Sequence, residues 1–163
     1  MEIVIEDKIK EQIAEVSEIV SDADKVFIVG NGGSSYVALH FTSDLRKKRD
    51  NVFCLCENIG TITALTNDYD FDHLYTEQLK LHDVEYSDVL IIFSVNGSVE
   101  RNGKIWSANL LNLARAFDGR VVLVTGNYES YVAYESDIVI DVRDRKYAED
   151  LFSIVAHEIL WKV

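Results

Sequence analysis

The sequence predicts an α/β protein of three layers, α/β/α, on a five-stranded parallel sheet with one helix ahead of strand one. Three observations carry this. Short apolar, β-branched runs recur at Lys25–Val29, Asn51–Cys56, Val89–Phe93, Arg120–Val124 and Asp137–Val142, as strands buried on both faces do. Amphipathic stretches alternate with them, the pattern of βαβ units. Two of the runs end in loops of Gly, Ser and Asn, at Gly30–Ser35 and Ser94–Ser98. In an open α/β sheet such loops lie at the carboxyl edge, where ligands bind.

Ahead of strand one, Ile5, Ile9, Ile13, Val16 and Val20 step by three and four, the stripe of an amphipathic helix. It must lie across the sheet or against a partner chain. After strand one the glycines of Gly30-Asn31-Gly32-Gly33 let the backbone approach an anion, and a helix N-terminus there offers free N–H groups. No Lys follows, so the loop is no Walker A motif, and its spacing is not G-x-G-x-x-G. Ser34 and Ser35 add hydroxyls and can cap the next helix. That helix carries Tyr36, Leu39, His40 and Leu45 and ends in Arg46-Lys47-Lys48-Arg49, cations that complement its dipole.

Glu57 to Asn67 reads as a short helix or turn, Asn67 to Phe71 as a polar loop, and Phe71, Leu74, Tyr75 and Leu79 open another helix. An extended segment, Val99 to Lys104, follows the second loop. A helix then starts at Trp106–Leu110, with Leu110, Leu111, Leu113, Ala114 and Phe117 on its apolar face. The last helix runs from about Lys146, with Leu151, Ile154, Val155, Ile159 and Leu160 apolar. Glu149 and His157 sit on it eight residues apart, within about 80° of each other around the axis. His40 and Asp44 are four apart and share one helix face.

At 163 residues the chain reads as one domain, 1–163. Sixteen Lys and Arg against 28 Asp and Glu give a formal charge of −12, which opposes binding to nucleic acid or an anionic membrane. No run approaches the ~18 apolar residues of a membrane span. The acidic start, Met1 to Asp7, does not read as a signal peptide, so the cytoplasm is expected. Cys54 and Cys56 point to one face of a strand. They make a poor disulfide frame, lack the partners of a zinc ribbon, and read as buried thiols of a reducing compartment. There is no proline, so turns rely on Gly, Asn and Asp.

Gly30-Asn31-Gly32-Gly33-Ser34-Ser35, followed by Leu39-His40-Phe41 and Asp44-Leu45, resembles the sugar isomerase (SIS) domain, and more narrowly its phosphoheptose isomerase branch. Thr63 to His73 resembles the family's second signature, an Asn-Asp-Tyr/Phe-Gly-Phe/Tyr loop. Asp70 stands where relatives usually have Gly, and a left-handed backbone there is tolerable for Asp at some cost. The loop Ser94-Val95-Asn96-Gly97-Ser98 departs from the family's usual Ser-Thr-Ser-Gly-Asn-Ser and looks closer to a minor branch with a Ser-Val-Gly-Gly loop and a similar extension.

The resemblance implies an SIS-type, flavodoxin-like fold and an aldose–ketose isomerase of heptose metabolism. It would convert sedoheptulose 7-phosphate to D-glycero-D-manno-heptose 7-phosphate through an enediol. It places a metal, zinc by the donor set, on His40, Asp44, Glu149 and His157. Asp44 would be the base, with Glu149 its rival, and His157 the acid/base partner. The best-known isomerases have Glu in place of Asp44 and Gln in place of Glu149. The loops containing Gly32, Gly33, Ser34, Ser35, Ser94, Asn96 and Ser98 would hold phosphate, with Ser98 or Ser107 as the aligned contact. Asn31, Asn67 and Asp68 would meet sugar hydroxyls. The family also implies a homotetramer with active sites at subunit contacts. Two other readings stand beside it: a non-catalytic SIS module that binds a sugar phosphate or a protein, and an SIS isomerase for another phosphosugar. Asp44 and Val95 favour these two; the four metal-type side chains favour an enzyme.

Overall fold

The computed structural model describes residues 5–163; Met1–Val4, the first part of the acidic start, lies outside the described residues. In chain order the elements are α1 (Asp7–Asp22), β1 (Val26–Gly30), α2 (Gly33–Leu45), β2 (Val52–Cys54), α3 (Ile59–Asp68), α4 (Leu74–Leu79) and β3 (Val89–Ser94). There follow β4 (Val99–Arg101), β5 (Lys104–Trp106), α5 (Ala108–Ala116), β6 (Arg120–Thr125), α6 (Tyr131–Tyr134), β7 (Ile138–Asp141) and α7 (Ala148–Lys162). Five strands form one parallel sheet in the order β2-β1-β3-β6-β7, with Val26 opposite both Val52 and Val89, and Val122 opposite Ile138. This is the expected sheet.

Each strand divides its side chains between two cores. Val26, Ile28, Ile91, Phe93, Val122 and Val124 pack with α1, α2 and α7, around Val16, Phe41 and Phe152. Phe27, Val29, Leu90, Ile92 and Leu123 pack on the other face with α4, α5 and α6, around Leu74, Leu110 and Val132. Burying one such side chain contributes about 1.5–3 kcal/mol.

The order of the sheet locates the crevice. β1 connects outward to β2, and the chain then returns to place β3 on β1's other side. The connections reverse direction between β1 and β3, the switch point where open α/β sheets bind ligands at their carboxyl ends. The glycine loop leaves β1 there, and the Ser94–Ser98 loop leaves β3 beside it.

Several local expectations are corrected. Neither serine caps α2: Gly32 holds the cap position at φ 57°, and the Ser35 hydroxyl donates back to the Gly32 carbonyl at 2.6 Å. The buried face of α2 is Val37, Ala38, Phe41, Thr42 and Leu45, while Tyr36 and Leu39 face outward. Of the cations after α2, Arg49 serves another helix, since its guanidinium donates to the Val20 and Ala23 carbonyls at the end of α1. The stripe of α1 is no surplus surface: Ile13, Val16 and Val20 are fully enclosed against the sheet and α7. Asp70 is not left-handed; its carboxylate accepts the His73 N–H at 2.8 Å and tightens the turn into α4.

The segment after the second loop is more than extended. β4 and β5 pair as an antiparallel hairpin, Val99 opposite Trp106. Asn102 and Gly103 both have positive φ, 52° and 74°. An Asn-Gly pair between two strands is the strongest short-range hairpin signal, so this element was legible in the sequence.

Candidate functional site

Two helices that pack on the same face of the sheet, α2 and α7, run side by side in the same direction and form one wall of the site. At one end Glu149, in the first turn of α7, lies against Gly33, the first residue of α2. A methyl on Gly33 would stand 2.5 Å from the Glu149 carboxylate. Further along, His157 on α7 meets His40 on α2, with ring centroids 5.3 Å apart and nearly perpendicular. Eight residues of helix rise about 12 Å, so these two contacts mark opposite ends of one wall.

At the far end His40, Asp44 and His157 converge. One ligand atom from each lies within 4.8 Å of the others. His40 Nε2 is 3.2 Å from Asp44 Oδ2, as the i, i+4 spacing in one helix requires. The Lys47 ammonium donates to Asp44 Oδ1 at 2.7 Å. That bond is the main cause that lowers the Asp44 carboxyl below its usual range, with the Lys47 charge and the two imidazoles adding to it. Two imidazoles and one carboxylate with an open side match the three-ligand sets of catalytic zinc sites. Glu149 stands apart from this cluster, because α7 carries it to the other end of the wall. The structure thus gathers three of the four metal-type residues and places the fourth at the glycine loop.

Each loop is more committed to bonds within itself and to its neighbours than the sequence suggests. Ser34 N donates to the Asn31 carbonyl and Ser35 N to the Gly32 carbonyl, each at 3.1 Å, and the Ser34 side chain is buried. The Asn31 amide is held by Asn109 and by the Tyr75 hydroxyl. In the second loop, Ser94 Oγ accepts the Gly97 N–H at 3.1 Å. Ser98, left-handed at φ 68° and only 1% exposed, keeps its hydroxyl buried without a hydrogen-bond partner among the described residues. Such an orphan costs about 1–3 kcal/mol unless a ligand or water satisfies it. Ser107, also left-handed, precedes α5 without capping it. Asn67 and Asp68 lie exposed at the end of α3 and bond to each other at 3.1 Å, away from the histidine cluster.

The hairpin supplies cations that the sequence reading passed over. Arg101 pairs across it with Lys104 and reaches back to Asn96 Oδ1 at 3.4 Å. Two cations beside a hydroxyl-bearing loop offset locally the chain's net negative charge. The Asn102-Gly103 turn was the signal that could have placed them.

A flavodoxin-like sheet, a glycine loop and a Ser/Gly loop at its switch point, and a His/Asp/His group further along the helices that leave it define an SIS-class protein. No family model matches the chain. It is 30% identical over 135 residues to the phosphoheptose isomerase of Yersinia pestis, covering 80% of this chain and 67% of that protein. It is 34% identical over 124 residues to that of Rhodospirillum rubrum, covering 70% of this chain and 61% of that protein. The lincomycin biosynthesis protein LmbN of Streptomyces lincolnensis is 40% identical over 107 residues, 60% of this chain, but the match spans only 38% of LmbN. A phosphoheptose isomerase structure from Francisella tularensis shares the fold over 96% of this chain and 85% of its own, with a TM-score of 0.76 at 21% identity. The chain belongs to the phosphoheptose isomerase family of SIS-domain proteins.

Proposed function

We propose that this chain is a phosphosugar aldose–ketose isomerase, acting as a single domain on sedoheptulose 7-phosphate to give D-glycero-D-manno-heptose 7-phosphate. The observation that carries the reading is the His40/Asp44/His157 group on the wall of the switch-point crevice, in a member of this family. The substrate phosphate lies between the two loops, near the Ser98 hydroxyl and the Arg101 guanidinium. The carbonyl end then extends along α2 and α7 toward the histidines.

Isomerisation moves one proton. A base takes it from the carbon beside the ketose carbonyl, an enediol forms, and an acid returns a proton to the former carbonyl carbon. Asp44 is kept ionised by Lys47 and is a carboxylate at neutral pH. It takes the proton, and Glu149 at the other end of the wall is its rival. His157 passes the proton between the two sugar oxygens. His40, Asp44 and His157 are also the residues that would hold zinc, with Glu149 joining only after a shift of its side chain. When bound, the metal supplies polarisation of the carbonyl. Asp44 cannot be both a tight ligand and a free base, so Asp44→Asn and Glu149→Gln should separate the roles. The ligand variant loses metal, and the base variant loses turnover with metal retained.

We further propose a homotetramer whose subunit contacts complete the crevice. Tyr36, Ile59 and Trp161 are at least 72% exposed, apolar surface that a partner copy would cover.

Incubation of purified protein with sedoheptulose 7-phosphate and zinc tests the activity; an aldose heptose phosphate is the expected product, and none at saturating substrate overturns the reading. A second reading, isomerisation of another phosphosugar, is favoured by Asp44 and Val95, which depart from the family's usual residues. Hexose 6-phosphates and heptose 7-phosphates offered in parallel decide between the two.

A further inference from the structure

The two cysteines take no part in the crevice chemistry above. Cys54 is the last residue of β2, opposite Ile28 and only 6% exposed. Cys56 follows in the turn, partly buried, with its sulfur 3.9 Å from the Ser35 carbonyl in the first turn of α2. The two Sγ atoms are 3.4 Å apart. In a continuous strand, Cα atoms two residues apart stand about 6.6 Å from each other, at the upper end of the roughly 4.4–6.8 Å that a disulfide spans. That is why the spacing reads as a poor disulfide frame. β2 ends at Cys54, however, and the turn through Leu55 brings both sulfurs together.

We propose that Cys54 and Cys56 are a redox-modification site, a dithiol that a small hydroperoxide closes to an intramolecular disulfide. The contacts divide the roles. The two thiols share one hydrogen bond, in which either sulfur can donate, and this contact draws Cys54 down to about 7 against the opposing effect of burial. The same bond and burial push Cys56 far up. Cys54 is therefore the thiolate nucleophile and Cys56 the resolving thiol. Burial of Cys54 shuts out bulky disulfides, so the oxidant proposed is one near the size of water.

The Cys54 thiolate attacks one peroxide oxygen; the S–O bond forms, the O–O bond breaks, and hydroxide leaves to become water. The Cys56 sulfur then attacks the Cys54 sulfenic acid. The S–S bond forms, the S–O bond breaks, and the departing oxygen takes the Cys56 proton as a second water. Two thiols lose two electrons, and the peroxide gains them. Closing the sulfurs to about 2.05 Å pulls Cys56 off the Ser35 carbonyl and loosens the first turn of α2.

Native protein treated with hydrogen peroxide, with thiols counted after denaturation and products mapped by mass, tests this. Both thiols should disappear together, the mass should fall by two hydrogens, and dithiothreitol should restore both. Cys56→Ser should stop at a sulfenic acid on Cys54 that dimedone traps, and Cys54→Ser should leave Cys56 unreacted. Survival of both thiols, bridges between chains, or dimedone on Cys56 overturns the proposal. Cys56→Ser, at the less buried position, carries the test alone if Cys54→Ser fails to fold. Amide exchange in the first turn of α2 should quicken on oxidation; unchanged exchange refutes the coupling to the loop.

Discussion

Asn31 and Asn109 exchange two side-chain amide hydrogen bonds, Asn31 Nδ2 to Asn109 Oδ1 at 2.9 Å and Asn109 Nδ2 to Asn31 Oδ1 at 3.1 Å. The Tyr75 hydroxyl adds a bond to Asn31 Oδ1 at 3.1 Å and another to the Gly30 carbonyl at 3.2 Å. The glycine loop is thereby fastened to α4 and α5, on the far side of the sheet from α2. Asn109 is fully buried. Asn109→Ala should cost about 1–3 kcal/mol, because it leaves the Asn31 Nδ2 donor without its acceptor in a part-buried site. Urea unfolding measures this; a change within error would mean that water replaces the lost amide.

Metal content follows from the side chains at the other end of the wall. Protein prepared without chelator should carry zinc, and His40→Ala and His157→Ala should each lose most of it while keeping the far-ultraviolet circular dichroism of the parent. Equal, negligible metal in all three proteins would remove the metal from the mechanism.

Ser98 separates stability from binding. Its hydroxyl is buried and has no partner among the described residues, so Ser98→Ala should leave the free protein as stable as before or slightly more so. If phosphate satisfies that hydroxyl, the variant should show a smaller rise in melting temperature with inorganic phosphate; at one hundred times Kd the full effect is about 2.7 kcal/mol. Equal rises in both proteins place the anion elsewhere.

Acid should weaken the fold through His82. Its ring packs on Phe53 at 4.6 Å and on the edge of Phe27 at 5.2 Å. Burial, then the Lys25 charge, push its pKa below the ordinary 6.5. The unfolded chain therefore binds the proton more readily. The stability due to neutral His82 is complete above pH 6.5 and is lost as pH falls through the lowered folded value. His82→Leu should flatten the stability profile below pH 6.5, as read by denaturant midpoints. An unchanged slope would assign the acid sensitivity to other groups.

Sedimentation equilibrium at moderate salt tests assembly. A species of about four subunit masses is expected. A stable species of 18.5 kDa would reject the tetramer and any site shared between subunits.

The sheet was legible because parallel strands are buried on both faces, so runs such as Leu90–Phe93 carry an unbroken apolar signal. The histidine group was legible in part: i, i+4 spacing puts His40 beside Asp44, but only the packing of α7 on α2 brings His157 to them. That packing also sends Glu149 to Gly33, which angular spacing on one helix could not reveal. The Asn31–Asn109 pair joins residues 78 apart in sequence, and no local pattern marks it. Arg49 was misassigned because a cation run names the helix it follows, whereas a long guanidinium reaches whichever carbonyls are open nearby.

The direct contact of Glu149 with Gly33 has a mechanical meaning. The contact is open only because Gly33 has no side chain, and the same two helices hold His40 against His157. The atoms that meet Gly33 are the far end of the Glu149 side chain, so the loop end of the wall closes on a movable carboxylate while its other end closes on two rings. A group entering between Gly33 and Glu149 at the loop end would turn the carboxylate aside and so change the charge that faces the glycine loop, leaving the helix spacing at the imidazoles as it is.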